Sequence, residues 1–179
     1  MIVMRVFIIL LLFLGFSYGD SVVKYATNFI GFSAGVVKVD IKSPQNLECE
    51  GKTGGLFSMF YNYKFKFVEN GDNYTLEEEV NGKKRVYSKD EILKKKAWIP
   101  VFISMLTKSN YELGNPIKVG NILIIPEENV QNEIYFFKVK NSHNVKRVVI
   151  WYDSAHYSKG FPKLIRIETK EANIDLKRL

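Results

Sequence analysis

The chain has 179 residues, 46% hydrophobic, 14% aromatic and 25% charged, with one cysteine and a formal net charge of +7. These values exclude a disordered or low-complexity chain and a disulfide-stapled scaffold, and they suit one domain able to bury a sizeable core. The basic excess favours anionic neighbours such as phospholipid head groups or lipopolysaccharide, or serves solubility alone; no motif points to nucleic acid.

In chain order, Arg5 precedes the apolar run Val6 to Leu14 and the small or neutral segment Gly15 to Asp20. This is the pattern of a secretory signal peptide, with Ser17 and Gly19 three positions and one position before a cut ahead of Asp20. The run is well short of the ~20 residues a membrane span requires, which sets a cleaved leader, residues 1–19, ahead of an uncleaved anchor. The expected mature protein is one β-rich domain, residues 20–179, exported and soluble after the cut. Loss of Arg5 with the leader lowers the net charge from +7 to +6. Cys49 lies between Glu48 and Glu50 with no histidine near it in sequence. Those carboxylates raise a thiol pKa, so Cys49 is read as a half-buried strand residue rather than a nucleophile.

The dominant period is two. Val37, Val39 and Ile41 alternate with Lys38, Asp40 and Lys42, and Tyr63, Phe65 and Phe67 alternate with Lys64 and Lys66. Asn-Gly at 70–71 and at 81–82 is a hairpin signal, because both central residues of a type I′ turn need positive φ. A turn at Asn81-Gly82 pairs Val80 with Lys83, Glu79 with Lys84 and Glu78 with Arg85, which makes the acidic run Glu77 to Glu79 structural, through cross-strand charge pairs. A turn at Asn70-Gly71 sets Phe67 against Tyr74 and Phe65 against Leu76, but also Glu69 against Asp72, an awkward pairing that a longer loop relieves.

Ser88-Lys89-Asp90-Glu91 has capping-box form and predicts a helix start. Pro100 cannot lie inside that helix, so two are expected, about 89–97 and 100–107, with Pro100 at the first position of the second. The first carries Lys94, Lys95 and Lys96 towards solvent. The second, Val101 to Leu106, is apolar almost all round and must be buried. Short helices beside roughly eight to ten strands predict a mainly β fold, an antiparallel curved sheet or open β-barrel with one or two helices as plug or lid. Its interior is either filled by side chains, the default for small barrels, or hollow.

Towards the C-terminus, Val148, Ile150 and Tyr152 alternate with Val149, Trp151 and Asp153, which predicts a central strand with two apolar faces and a buried Trp151. Ser154 to Gly160 reads as a loop, Lys163 to Thr169 as the returning strand, Lys170 to Asn173 as a turn, and Ile174 and Leu176 as inward residues of a closing strand. Asp153 and His156 share the loop, but no third group to orient them is identifiable, and neither Ser154 nor Ser158 lies in a nucleophile elbow. Zinc needs three or four ligands, against His143, His156 and a distant Cys49. Exposed turn polars are the first reading of this loop, ahead of ligand contacts and catalysis.

The segment Ile150-Trp151-Tyr152-Asp153, followed by Pro162, Lys163-Leu164-Ile165-Arg166-Ile167 and Ile174-Asp175-Leu176, resembles the C-terminal signature of the exported bacterial domain-of-unknown-function family 3108. Gly31 to Val39, with its Ala34-Gly35 pair leading into a strand, is similar to that family's N-terminal motif. Gly55-Leu56-Phe57 and the apolar helix around Pro100 fall in the same order, although Ile99 stands where the family often has aspartate. The resemblance covers about residues 25–179. It implies a mostly β periplasmic domain of Gram-negative bacteria with no catalytic residues to carry over.

The function expected is therefore non-catalytic: an envelope protein that binds a lipid or other apolar ligand in its curved sheet, without cofactor or metal. Phe65, Phe67, Phe102, Met105, Trp151 and Tyr152 are the candidate cavity-lining residues. Peripheral association with anionic membrane surfaces fits the charge. The alternatives are an envelope scaffold or assembly factor acting through protein–protein contacts and, remotely, a small hydrolase built on Asp153 and His156.

Overall fold

The computed structural model describes residues 21–43, 46–107, 113–127, 133–153 and 161–179. The expected leader and the loop holding His156, Ser154 and Ser158 lie outside the described residues. Twelve described strands form one antiparallel sheet. The first half of the chain is a meander of β1 (Ser21–Phe29), β2 (Phe32–Ser43), β3 (Asn46–Thr53), β4 (Tyr63–Asn70), β5 (Asn73–Val80) and β6 (Lys83–Tyr87), with a short helix α1 (Phe57–Phe60) between β3 and β4. Two helices, α2 (Lys89–Lys95) and α3 (Trp98–Thr107), lead to β7 (Ile117–Val119), β8 (Ile122–Pro126), β9 (Ile134–Lys140), β10 (Val145–Trp151), β11 (Leu164–Thr169) and β12 (Asn173–Arg178). The sheet runs β6-β5-β4-β3-β2-β1-β12-β11-β10-β9-β8-β7, so the first and last strands pair at its centre and β6 and β7 are its edges. More strands form than the eight to ten expected, because pieces as short as β7 are too brief to show a period.

The sheet stays open, and the helices explain its curvature. α2 touches β5 and β6, α3 touches β7 and β11, and the Phe102 ring of α3 meets Tyr25 of β1 edge-on at 5.5 Å. One helix pair can reach both edges and the centre of a sheet only if the sheet curls round it. Val101, Phe102, Ile103, Met105 and Leu106 are all buried, as the apolar run requires, and face Val37, Val39, Phe67, Ile165, Ile167 and Leu176 in one core. The interior beneath α3 is thus filled. Among the described residues no helix is long and apolar enough to cross a membrane.

Local chemistry sets most of the register. Asn81 and Gly82 have φ of 49° and 81°, and β5 and β6 pair Val80 with Lys83, Glu79 with Lys84 and Glu78 with Arg85, as the turn predicts. The other hairpin differs: Asn70 pairs with Asn73, so Gly71 and Asp72 form the turn, with positive φ at Gly71 alone. Phe67 then opposes Leu76 and Phe65 opposes Glu78. This two-residue shift keeps every side chain on its face and moves Glu69 from Asp72 to Tyr74, which removes the like-charge pair. On the outer face Arg166 and Asp175, direct cross-strand partners, form a two-bond ion pair at 2.6 and 2.9 Å.

The helix starts also differ from expectation. Ser88 N–H donates to the Glu91 carboxylate at 3.2 Å, so the capping box forms, but α2 ends at Lys95 and α3 begins at Trp98. Pro100 is the third residue of α3 rather than its first. It is tolerated because first-turn N–H groups have no partner within the helix. Cys49 is fully buried, not half-buried, between Val39 and Phe67 on neighbouring strands, and burial followed by the Glu50 charge pushes its thiol pKa up.

β10 is central in its pairing, between β9 and β11, but only one of its faces is buried. Val148, Ile150 and Tyr152 point inward, and Trp151 is 42% exposed with the Lys163 ammonium 5.4 Å from its ring. The expectation of a buried Trp151 is corrected by the parity of the strand: Tyr152 takes the inward place, edge-on to Tyr135 at 5.9 Å.

Candidate functional site

At the end of the sheet that carries the β1–β2, β9–β10 and β11–β12 turns, the helices leave part of the inner face uncovered. The result is an open cleft of about 730 Å³. One wall is aromatic and comes from a single strand. Tyr61, Tyr63 and Phe65 extend the period of two of β4, with ring centroids 6.0 Å apart for Tyr61–Tyr63 and 5.9 Å for Tyr63–Phe65. Trp98, the first residue of α3, closes on Phe65 edge-on at 5.6 Å. Across from these rings Val37 and Ile174 supply aliphatic surface from β2 and β12. Four lysines, Lys52, Lys95, Lys96 and Lys170, line the cleft with a single carboxylate, Glu171, among the described residues.

Behind the aromatic wall lies a polar cluster. Glu78 faces inward from β5 and is only 4% exposed. Its carboxylate is 2.6 Å from the Lys96 ammonium and accepts a 2.5 Å hydrogen bond from Tyr63. Lys96 Nζ in turn lies over the rings of Tyr63 and Tyr87, at 5.6 and 5.8 Å. Burial pushes the Glu78 carboxyl up, but hydrogen bonds from Lys96, Tyr63 and Tyr87 outweigh it and hold the group below the usual glutamate value. Burial, and next the bond to Glu78, push the Tyr63 phenol up and the Tyr87 phenol up to about 12. The cluster is therefore a charged pair with two neutral phenols at neutral pH. Two of its members, Tyr63 and Lys96, also line the cleft.

This arrangement revises two sequence expectations. Lys96 turns inward while Lys94 and Lys95 face solvent. Glu78 is the register partner of Arg85, yet its charge is met by Lys96, because the end of α2 brings that ammonium over the inner face; Arg85 instead reaches Glu91 at 4.0 Å. Glu79 keeps the cross-strand charge pairing expected of it but with a different partner: its carboxylate is 3.7 Å from Lys64, opposite it on β4, while Lys84 is its register partner on β6.

Of the six residues expected to line a cavity, Phe65 is on the cleft. Phe67, Phe102, Met105 and Tyr152 are packed into the filled core, and Trp151 is on the outer face. Sequence reasoning missed Tyr61, Tyr63, Trp98 and the Glu78–Lys96 pair. The first two are foreseeable from the alternation of β4, and Glu78 from its inward parity beside Leu76. Nothing local marks Trp98. Asp153 lies 3.8 Å from Arg178, and its expected neighbour His156 is outside the described residues. Among the described residues no three His, Cys, Asp or Glu side chains are grouped to hold a metal ion.

No family model matches the chain. Its sequence is similar to an uncharacterized protein of Aquifex aeolicus (strain VF5), 32% identical over 125 residues that span 68% of this chain and 74% of that protein. Its fold is similar to the solved structure of a hypothetical protein from Chlamydia trachomatis, with a TM-score of 0.44 and 9% identity over 88% of this chain and 85% of that one.

Proposed function

The chain belongs to the same family as the uncharacterized Aquifex aeolicus protein, and from the geometry of its cleft we propose that it is a non-catalytic carrier of an acyl-chain ligand. The observation that carries this reading is the pairing, in one cleft, of a continuous aromatic wall with a lysine-lined mouth. A volume of about 730 Å³ is in the range of small-molecule sites, and aromatic and aliphatic walls bind chains by burying their methylenes, at ~0.8 kcal/mol each. The lysines suit a carboxylate or phosphate head group left at the mouth. The proposed site of action is the periplasm of a Gram-negative cell, a reading supported by the leader-like N-terminus and the resemblance to the exported family. The scaffold reading, insofar as it needs strand addition at a sheet edge, is disfavoured because edge strand β6 carries Lys83, Lys84 and Arg85, charges that blunt such pairing.

The test uses a fluorescent long-chain fatty acid as probe. Wild-type protein should bind it and release it to unlabelled fatty acid, and Phe65→Ala and Tyr61→Ala should each weaken binding about tenfold, the loss of one large apolar contact. Native mass spectrometry of protein taken from envelopes should show a lipid adduct. No probe binding by wild-type protein, together with no adduct, overturns the proposal.

A further inference from the structure

The same end of the sheet carries a second feature that a soluble protein normally avoids. The β1–β2 connection is the two-residue turn Ile30-Gly31, flanked by the paired Phe29 and Phe32. Ile30 has φ of 51° and Gly31 of 78°, nearly the backbone of the Asn81-Gly82 turn at 49° and 81°. At the first position of such a turn asparagine is favoured, and a β-branched side chain is sterically opposed. Ile30 is also 63% exposed, so neither backbone preference nor burial accounts for it. A residue that breaks two local rules at once is expected where function selects it.

Its neighbours extend the argument. Phe32 is 71% exposed and Phe60, at the end of α1, 86%; Leu56 and Met59 beside it are exposed as well. The two segments adjoin, since α1 touches β2 and Gly54 N–H donates to the Ala34 carbonyl at 3.1 Å. They also border the cleft directly, because Phe29 and Tyr61 are partly exposed members of its lining. Isolated exposed apolar side chains are ordinary, but large ones gathered on two adjacent tips at the mouth of a cleft mark an interaction surface.

We infer that the β1–β2 tip and the α1 segment dock on a lipid bilayer containing anionic phospholipid, with Ile30, Phe32 and Phe60 inserted among the acyl chains and the cleft mouth facing the membrane. Charge decides between the occupants of such a surface. Behind the apolar tips stand Lys52, Lys95 and Lys170; among the described residues the opposing carboxylates are Glu171 on the cleft lining and Glu91, 3.5 Å from Lys95. A second copy of this chain would set those lysines against their own equivalents. A bilayer offers what the surface needs in the same order: an apolar interior for the tips and anionic head groups for the lysines behind them. This surface goes beyond the carrier reading and does not depend on what the cleft holds.

The experiment uses the full chain, so that residues 1–19 contribute equally to every comparison, and vesicles of phosphatidylcholine with or without phosphatidylglycerol. Tryptophan placed on the rim by Phe60→Trp should shift its emission to the blue and be quenched by brominated acyl chains, whereas Val86→Trp on edge strand β6 should do neither. The triple variant Ile30→Asn, Phe32→Ser, Phe60→Ser should lose vesicle affinity by about tenfold for each large side chain removed, while binding the fluorescent fatty acid as wild type does. Three outcomes overturn the inference: Phe60→Trp unquenched or quenched no more than Val86→Trp, affinity unchanged by phosphatidylglycerol, or a wild-type dimer in sedimentation that the triple variant abolishes without losing vesicle binding. Retained fatty-acid binding in the triple variant separates failure of the rim from failure of the cleft.

Discussion

The ring of Phe65 lies on the backbone of Gly51, its partner across β3 and β4, so closely that a Cβ at 51 would stand 2.1 Å from the ring edge. The glycine is what allows the ring to lie flat, meet Trp98 edge-on and form the wall of the cleft. Gly51→Ala should push the ring into the cleft or against Trp98. Overpacking of this kind destabilises by about 1–3 kcal/mol. Denaturant unfolding should report that loss, and titration with the fluorescent fatty acid should report weaker binding.

The buried pair of Glu78 and Lys96 makes stability depend on acid pH. The folded carboxyl is held below the ordinary glutamate value of about 4.3, so the folded state binds its proton less readily than the unfolded chain does. Its stabilisation is fully present above that value and is lost as the pH falls through the lower value of the folded group. Glu78→Gln leaves Lys96 without its counter-charge and should cost about 2 kcal/mol at neutral pH, the low side for breaking a buried pair because Lys96 is partly solvated. Unfolding measured from neutral pH down to about pH 3 should show the difference between wild type and variant narrowing as the wild-type carboxyl is protonated.

Neighbouring aromatics on β10 should behave oppositely. Tyr152 is 2% exposed and packed against Tyr135, and truncation to alanine should destabilise by about 3 kcal/mol or more. Trp151 is on the outer face under Lys163, and Trp151→Ala should cost about 1 kcal/mol, chiefly a cation–π contact and partial burial. Parallel denaturant titrations give the contrast, and a larger loss at Trp151 than at Tyr152 would contradict this placement.

Pro100 stands where an N–H would be poorly served. Ile99 N–H already takes the Lys96 carbonyl at 3.0 Å, and Ala97, ahead of α3, has no side-chain oxygen to offer. The position is buried, so Pro100→Ala adds a donor without a ready acceptor and removes ring packing. A loss of about 1–2 kcal/mol is expected from thermal melts, rather than the silence expected of a proline at the first helical position.

What the sequence by itself determined is local. The alternation of Val37, Val39 and Ile41 and of Tyr63, Phe65 and Phe67, the Asn81-Gly82 turn with its register, the Ser88–Glu91 cap and the burial of Val101 to Leu106 all follow from residues within a few positions of each other, where sterics and hydrogen-bonding geometry act alone. The Gly71-Asp72 turn was ambiguous because a shift of two residues preserves every face, and only the charge of Glu69 and Asp72 opposed the other register. Tertiary structure decided the rest. Which face of β10 is inner depends on where α3 lies, and that placed Tyr152 inside and Trp151 outside. The cleft joins Phe65 to Trp98, and the cluster joins Glu78 to Lys96, because the chain between β6 and β7 crosses the inner face of a curled sheet. Contacts between residues far apart in sequence depend on the path of the chain, and no period of two or of 3.6 encodes that path.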